Sequence, residues 1–180
     1  MSAPSIVQVY KAVPPYNSSM TYLRLTIEPI PTASRLATLA QLLPCRQWNQ
    51  LRRSVYSRAH YLCQICGRQG RLYCHEVWQF NEGTGYQHLR GFQALCQDCH
   101  QAKHIFFVRD RRRRANLLKH LAIVNKLTPA EARQQLAAAR RRQAALNQLH
   151  WVLNYGPYNW LVSPARTLWQ RQAYARFNGQ

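Results

Sequence analysis

The stretch "CQDCHQAKH", residues 96–104, places two cysteines, two histidines and one lysine within nine residues. A second Cys-x-x-Cys pair, "CQIC", lies upstream at residues 63–66. Two such pairs can supply the four sulfur ligands of a tetrahedral zinc site, which is structural because no coordination position stays open. The alternatives are four buried free thiols or a redox pair. We expect a structural Zn²⁺ ion bound by Cys63, Cys66, Cys96 and Cys99.

The segment around and after these pairs has the pattern of two strands, a turn and a helix. These elements are "LYCHEVWQF" (72–80), "NEGTG" (81–85), "FQALC" (92–96) and "QDCHQAKHIFFV" (97–108). On the helix, His100 and His104 are four residues apart, so they lie on one face and can bind a single metal ion. We expect His75, on the first strand, to lie opposite that face.

A Cys-x-x-Cys pair, a β-hairpin that carries a histidine and a Cys-x-x-Cys-His-x₃-His helix resemble the HNH endonucleases, the ββα-metal or His-Me finger superfamily. The resemblance covers about residues 61–104. It implies that His75 is the general base that activates water for attack on a phosphodiester. It also implies that His100 and His104 are candidate ligands of a catalytic divalent ion such as Mg²⁺ or Mn²⁺. Such an ion would stabilise the phosphorane-like charge and the leaving 3′ oxygen.

Two positions depart from the family pattern. Family members commonly carry Asp or His directly before the base, where this chain has Cys74. Because side chains alternate across a strand, Glu76 projects to the same side as Cys74 and is a candidate replacement ligand. The central asparagine of the motif falls near Gly91, and Gln93 or His88 is the expected substitute.

Simpler structural roles are open for the same histidines. His75 can be a strand histidine that is hydrogen-bonded to the backbone, and His100 and His104 can cap a helix or contact a phosphate. Their arrangement between and after the two cysteine pairs favours the catalytic interpretation.

The charge balance favours a polyanionic partner. The chain has 25 Lys+Arg against 6 Asp+Glu, a net charge of +19, and a hydrophobic content of 47% that is typical of a folded protein. Nucleic acid is the expected partner, with DNA preferred over RNA on the resemblance, in a larger nucleoprotein assembly or alone. An acidic protein and an anionic membrane are the alternatives. The expected phosphate contacts are Lys103, Arg109, Arg111, Arg112, Arg113, Arg114, Arg140, Arg141 and Arg142.

The location of the protein follows from what the sequence lacks. No apolar run approaches the ~18–20 residues that span a bilayer, and residues 1–19 have neither a basic n-region nor a long apolar h-region. We therefore expect a cytoplasmic protein, in which cysteines are more often thiols or metal ligands than disulfides.

We expect an α+β fold, with a small ββα-metal finger and a four-cysteine zinc site embedded in a mainly helical, basic protein. The expected regions are a Pro-rich N-terminal segment with a strand and a short helix (1–44), a zinc-bound nuclease core (45–108) and a basic, helical and aromatic C-terminal region (109–180). The strand is expected at 21–30, and helices at 33–43, 46–60, 105–124 and 129–149. The last of these begins with Thr128 and Glu131 in the pattern of a capping box.

Two classes of function fit this sequence. The first is a metal-dependent HNH endonuclease that nicks or cleaves DNA phosphodiester bonds. The alternative is a non-catalytic, zinc-containing nucleic-acid-binding protein, or a subunit of a nucleic-acid machine, with a degenerate HNH site. A nuclease module that works only inside an assembly would combine the two.

Overall fold

The computed structural model describes residues 24–36 and 38–162. Within these ranges the protein is a mixed α+β structure, which confirms the predicted class. The helices are α1 (Leu39–Leu42), α2 (Cys45–Arg58), α3 (Gln97–Lys103), α4 (Arg111–Asn125) and α5 (Pro129–Leu146). The strands are β1 (Leu72–Asn81), β2 (Tyr86–Cys96) and β3 (Val152–Asn154), and short 3-10 helices cover Ala33–Leu36, Ile105–Phe107 and Gly156–Leu161.

The sheet is built on the predicted hairpin. β1 and β2 pair antiparallel, with His75 opposite Gln93, and a bulge shifts the register between Val77 and Trp78. β3 adds to β2 in the parallel direction, so that the order is β1-β2-β3 and β1 forms an edge. The second strand is longer than the predicted 92–96, because pairing with β1 extends it through polar residues that have weak strand propensity on their own.

The two faces of the hairpin pack against different helices. On one face, Phe92 and Ala94 pack with Leu51 and Val55 of α2. On the other face, Leu95 packs with buried residues of α3 and α4. Alternation along the strands therefore divides the core into two layers. A strand residue contacts α2 or α3 according to the face of the sheet from which its side chain projects.

The two long helices after the hairpin are present with shifted ends. α4 begins at Arg111 rather than at 105, because Ile105–Phe107 forms a 3-10 turn and the side chain of Asp110 caps the helix by accepting from the backbone N–H of Arg113. α5 begins with the predicted capping box, in which Thr128 and Glu131 bond reciprocally.

Residues 24–34, which we call the N-terminal strap, cross three helices without pairing in the sheet. The strand predicted at 21–30 is therefore wrong where the structure describes it, and residues 21–23 lie outside the described ranges. Leu25, Ile27 and Ile30 are buried. Hydrogen bonds cross the predicted boundary at residue 44: Leu25 with Asn125, Glu28 with Lys103, Ile30 with Gln143 and Thr32 with Asn147.

The rest of the N-terminal prediction is partly met. The helix expected at 33–43 is two short pieces, the first 3-10 helix and α1.

The aromatic tail expected after the helices lies outside the described ranges from residue 163 onward. Among the described residues, the structure contains no helix with the length and apolar character needed to cross a membrane.

Candidate metal centres

The four cysteines of the two Cys-x-x-Cys pairs lie together, as the sequence predicts. The sulfur atoms of Cys63, Cys66, Cys96 and Cys99 are all within 4.8 Å of one another. Three of the residues are buried and Cys66 is half-buried. Such a cluster can bind a metal such as zinc, and its four thiols match a closed tetrahedral site.

Each pair of cysteines is placed by a different local structure. The first pair lies on a tight turn in which the backbone N–H of Gly67 donates to the carbonyl of Cys63 at 2.8 Å. Gly67 has φ +74°, a conformation that glycine adopts without steric cost. In the second pair, Cys96 ends β2 and Cys99 lies in α3. The strand-to-helix junction thus brings the second pair to the turn that carries the first.

Polar contacts surround the sulfur cluster. Asp98, between the second pair of cysteines, forms ion pairs with Arg68 beside the first pair and with Arg113 of α4. His120 of α4 places its Nε2 3.2 Å from the sulfur of Cys99. The sequence alone gives His120 no role, because it lies 21 residues beyond the cysteine that it contacts. These contacts orient the ligand-bearing segments in the way that outer-shell groups do at metal sites.

The electrostatics of the cluster favour a cation. A hydrogen bond with the Cys99 thiol lowers the pKa of Cys63 to about 4. The same bond, together with burial, raises the pKa of Cys99, and burial raises that of Cys96. In the absence of a cation, the ionisation of one thiol makes the ionisation of its neighbours less favourable. A divalent ion would remove that opposition, because thiolates are the form that binds metal.

A second cluster contains three histidines. One ring nitrogen from each of His75, His100 and His104 lies within 4.8 Å of the others. The ring centroids are 5.4 Å apart for His75 and His100, and 4.9 Å apart for His75 and His104. His75 comes from β1 and is 1% exposed, and the other two come from α3 and the residue that follows it. The expected position of His75 opposite the helix face is thus what the structure has.

The state of these imidazoles suits metal binding. Burial lowers the pKa of His100 to about 4 and that of His104 to about 3, so both rings are neutral near pH 7. A neutral imidazole keeps a lone pair for a ligand bond. The Nδ1 atom of His104 is buried and has no hydrogen-bond partner among the described residues. A metal ion is one group that would satisfy it, and imidazole ligands suit transition metals.

Glu28 reaches this cluster from the N-terminal strap. Its Oε1 lies 2.9 Å from Nε2 of His75 and 2.8 Å from Nζ of Lys103. Burial alone would raise the pKa of Glu28, but its contacts with His75 and Lys103 lower it well below its ordinary value. Sequence reasoning missed Glu28, which is 47 residues from His75. The available signal is that Glu28 is the sole acidic residue among residues 1–75.

Two of the predicted site residues lie elsewhere. Lys103, expected to contact phosphate, is 6% exposed and paired with Glu28. Glu76 is not part of the histidine cluster: its Oε1 accepts from the backbone N–H of Leu39 at 2.6 Å, and its Oε2 accepts from the indole of Trp78 at 3.2 Å. Glu76 does share a face with Cys74, but that is the face toward α2, whereas the histidines meet on the face toward α3. The expectation that Glu76 is a metal ligand was wrong, because its side chain lies on the face toward α2.

The residues expected to replace the motif's asparagine differ in position. Gln93 is directly opposite His75 in the hairpin register, and its Oε1 is buried with no hydrogen-bond partner in the described part of the chain. His88 lies nearer the turn, where its ring stacks on Tyr86. Gly91 is buried beside the bulge, opposite Val77. Gln93 is therefore better placed than His88 to take the role of the motif's asparagine beside His75.

The predicted arginine contacts divide into two groups. Arg113 is engaged within the protein, since it bonds both Asp98 and Gln101. Arg142 pairs with Glu82 across the exposed end of the hairpin, and Arg140 lies over the ring of Phe106. Arg114 is half-buried. The remaining arginines of the set are exposed on the surface: Arg109, Arg111, Arg112 and Arg141.

A cavity of about 400 Å³ opens beside the histidine cluster. All three histidines contribute to its lining, together with Trp48 and Trp78 from the α2 side. The lining of the cavity therefore includes residues from both faces of the edge strand β1.

No protein-family model, curated protein or solved structure matched this chain in our comparisons.

Proposed function

We propose that the protein is a metal-dependent endonuclease that hydrolyses phosphodiester bonds in DNA. The observation that carries this proposal is the convergence of His75, His100 and His104 at one side of a hairpin–helix unit whose base holds four cysteines. The resemblance of the same residues to HNH endonucleases supports the assignment of roles.

The two clusters have different tasks in this proposal. The cysteine cluster binds Zn²⁺ as a scaffold, because four sulfur ligands leave no position for a substrate. The histidine cluster binds a divalent ion through His100 and His104, and that ion supplies Lewis-acid stabilisation of phosphoryl charge. Mg²⁺ and Mn²⁺ are the candidate ions from the resemblance, whereas imidazole ligands favour later transition metals such as Zn²⁺ or Ni²⁺.

His75 is the proton acceptor for the attacking water. A general base must reach the proton that it abstracts within hydrogen-bond distance or through one water. The ring is almost fully buried in the protein alone, but it lines the cavity through which a nucleotide would enter. An ordered water between His75 and the phosphate is the nucleophile that this geometry supports.

The exposed arginines supply the substrate-binding surface. Arg109 lies just before α4, Arg111 and Arg112 begin α4, and Arg141 adds a cation on α5. Contacts of this kind go to the phosphate backbone and position a duplex without reading its sequence. Nonspecific DNA affinity that falls steeply with salt is the expected behaviour.

The test is plasmid nicking by the purified, zinc-loaded chain with Mg²⁺, Mn²⁺, Ni²⁺ or EDTA. Cleavage that requires a metal and is lost in His75→Ala supports the proposal. His150→Ala is the matched control, because His150 is exposed and lies outside both clusters. Zinc content is measured for each variant, so that a loss of activity is not confused with a loss of the scaffold.

A non-catalytic nucleic-acid-binding protein is the second candidate. It is favoured by the burial of His75 against Glu28 and by the departures at Cys74 and Gly91. If no metal supports cleavage while the wild type and His75→Ala bind duplex DNA equally, this second function replaces the first. Binding to RNA of the same length, measured in parallel, tests the preference for DNA.

A further inference from the structure

The contact between Glu28 and His75 determines which nitrogen of His75 carries the hydrogen. Oε1 of Glu28 accepts from the ammonium of Lys103 at 2.8 Å while it lies 2.9 Å from Nε2 of His75. An oxygen that faces an ammonium group is held in the carboxylate form, and a carboxylate only accepts hydrogen bonds. Nε2 of His75 must then be the donor.

We propose that Glu28 is a positioning residue for His75, which fixes its hydrogen on Nε2 and leaves the lone pair on Nδ1. Nδ1 is then the nitrogen with which His75 acts in the cluster formed with His100 and His104. The tautomer is a property of the protein alone. Its consequence for hydrolysis rests on the proposed function, because a general base needs its lone pair directed at the reacting water.

The N-terminal strap is built to hold Glu28 in this position. The backbone N–H of Glu28 donates to the carbonyl of Lys103 at 2.9 Å, so the two residues are joined through both backbone and side chain. Lys103 directly precedes His104 in the chain. The same contacts that fix Glu28 therefore connect the strap to the helix that carries the other two histidines.

Lys103 also offsets the free-energy cost of burying the carboxylate of Glu28. Two hydrogen-bond donors meet at Oε1, whereas Oε2 is buried and has no partner among the residues that the structure describes. Removing the carboxylate alone would leave the buried Lys103 ammonium uncompensated, and such a change is strongly destabilising. The test therefore compares variants in which that cation has already been removed.

The experiment measures the tautomer of His75 by long-range ¹H–¹⁵N NMR on the full, zinc-loaded chain with ¹⁵N-labelled histidine. The wild type is expected to show the Nε2–H form, and Lys103→Met is the reference in which Glu28 keeps its contact with Nε2 of His75. Glu28→Gln in the Lys103→Met background is expected to show both forms, because a carboxamide can donate as well as accept. Glu82→Gln, which removes an exposed carboxylate, is the matched control and leaves the wild-type spectrum of His75 unchanged.

Cobalt binding provides a second measurement on the same proteins. The ligand-field spectrum of Co²⁺ added to zinc-loaded protein reports binding at the histidine cluster. In the protein without substrate, His75 is a third nitrogen donor beside His100 and His104. We therefore expect the affinity to fall about 10–100-fold between Lys103→Met and its Glu28→Gln derivative, the range that loss of an outer-shell partner produces. Zinc content by elemental analysis should be unchanged.

Two results would overturn the inference: an Nδ1–H form of His75 in the wild type, or an unaltered Nε2–H form once Glu28 is replaced. The first needs only the wild type, so it applies even if the double variant fails to fold. If the tautomer and the cobalt affinity change as expected but no protein nicks DNA, the proposed function fails while the role of Glu28 stands. If the wild type nicks DNA but replacing Glu28 leaves the tautomer of His75 unaltered, the proposed function stands and the role of Glu28 fails.

Discussion

Replacing Asn125 by alanine is expected to loosen the N-terminal strap. The carboxamide of Asn125 accepts from the backbone N–H of Leu25 at 2.9 Å and donates to the carbonyl of Leu25 at 2.7 Å. Leu25 is buried, so its peptide groups would lose their partners without full access to water. A net hydrogen bond contributes about 0.5–1.5 kcal/mol, and an unsatisfied buried group costs about 1–3 kcal/mol. We expect Asn125→Ala to lower the free energy of unfolding by about 2–3 kcal/mol.

The assay is urea denaturation of zinc-loaded protein, followed by circular dichroism. Asn116→Ala is the control, because it makes the same chemical change at an exposed position of the same helix. The control should remain within about 0.5 kcal/mol of the wild type. Equal stability of the two variants would refute the conclusion that this side chain anchors the strap. A change in the denaturant slope would instead indicate a different unfolded state.

Three further predictions concern other parts of the molecule. Burial raises the pKa of Glu76 from 4.5 to about 7; its contribution to stability is therefore fully present below pH 4.5 and is lost as the pH rises through 7. The loss is on the order of 3 kcal/mol, and urea titrations of Glu76→Gln across this range should show a flatter profile. Cys99→Ser should abolish stoichiometric zinc binding in elemental analysis, whereas Cys45→Ser, at an exposed thiol outside the cluster, should not. Arg112→Gln should reduce the slope of log affinity for duplex DNA against log salt by about 0.9 if Arg112 contacts one phosphate, and an unchanged slope would exclude that contact.

The local parts of the structure could be predicted from the sequence. The two cysteine pairs, the hairpin between them and the capping box at Thr128 all depend on residues close together in the chain. Spacing of three or four residues determines a shared helix face, and alternation determines a shared strand face. The meeting of His75 with His100 and His104 followed from these two rules together with the hairpin.

The parts that could not be predicted depend on distant contacts. No local pattern indicates that Glu28 lies against His75, or that the buried ammonium of Lys103 pairs with the same carboxylate. The segment expected as a strand at 21–30 has suitable alternation, yet its buried residues pack against helices rather than pairing in the sheet. Tertiary packing decides each of these cases.

The strap also has a consequence for how the chain matures during synthesis. Its hydrogen bonds join residues that are 100, 113 and 115 positions apart, with partners in α4, in α5 and directly after α5. A nascent chain emerges from its N-terminus, so the hairpin and the cysteine pairs leave the ribosome well before these partners do. Contacts between such distant residues form late, because closing the intervening chain has an entropic cost that local contacts avoid. The strap thus completes its contacts only after α4 and α5 have emerged, and before that point the contacts available to Glu28 are those with His75 and Lys103.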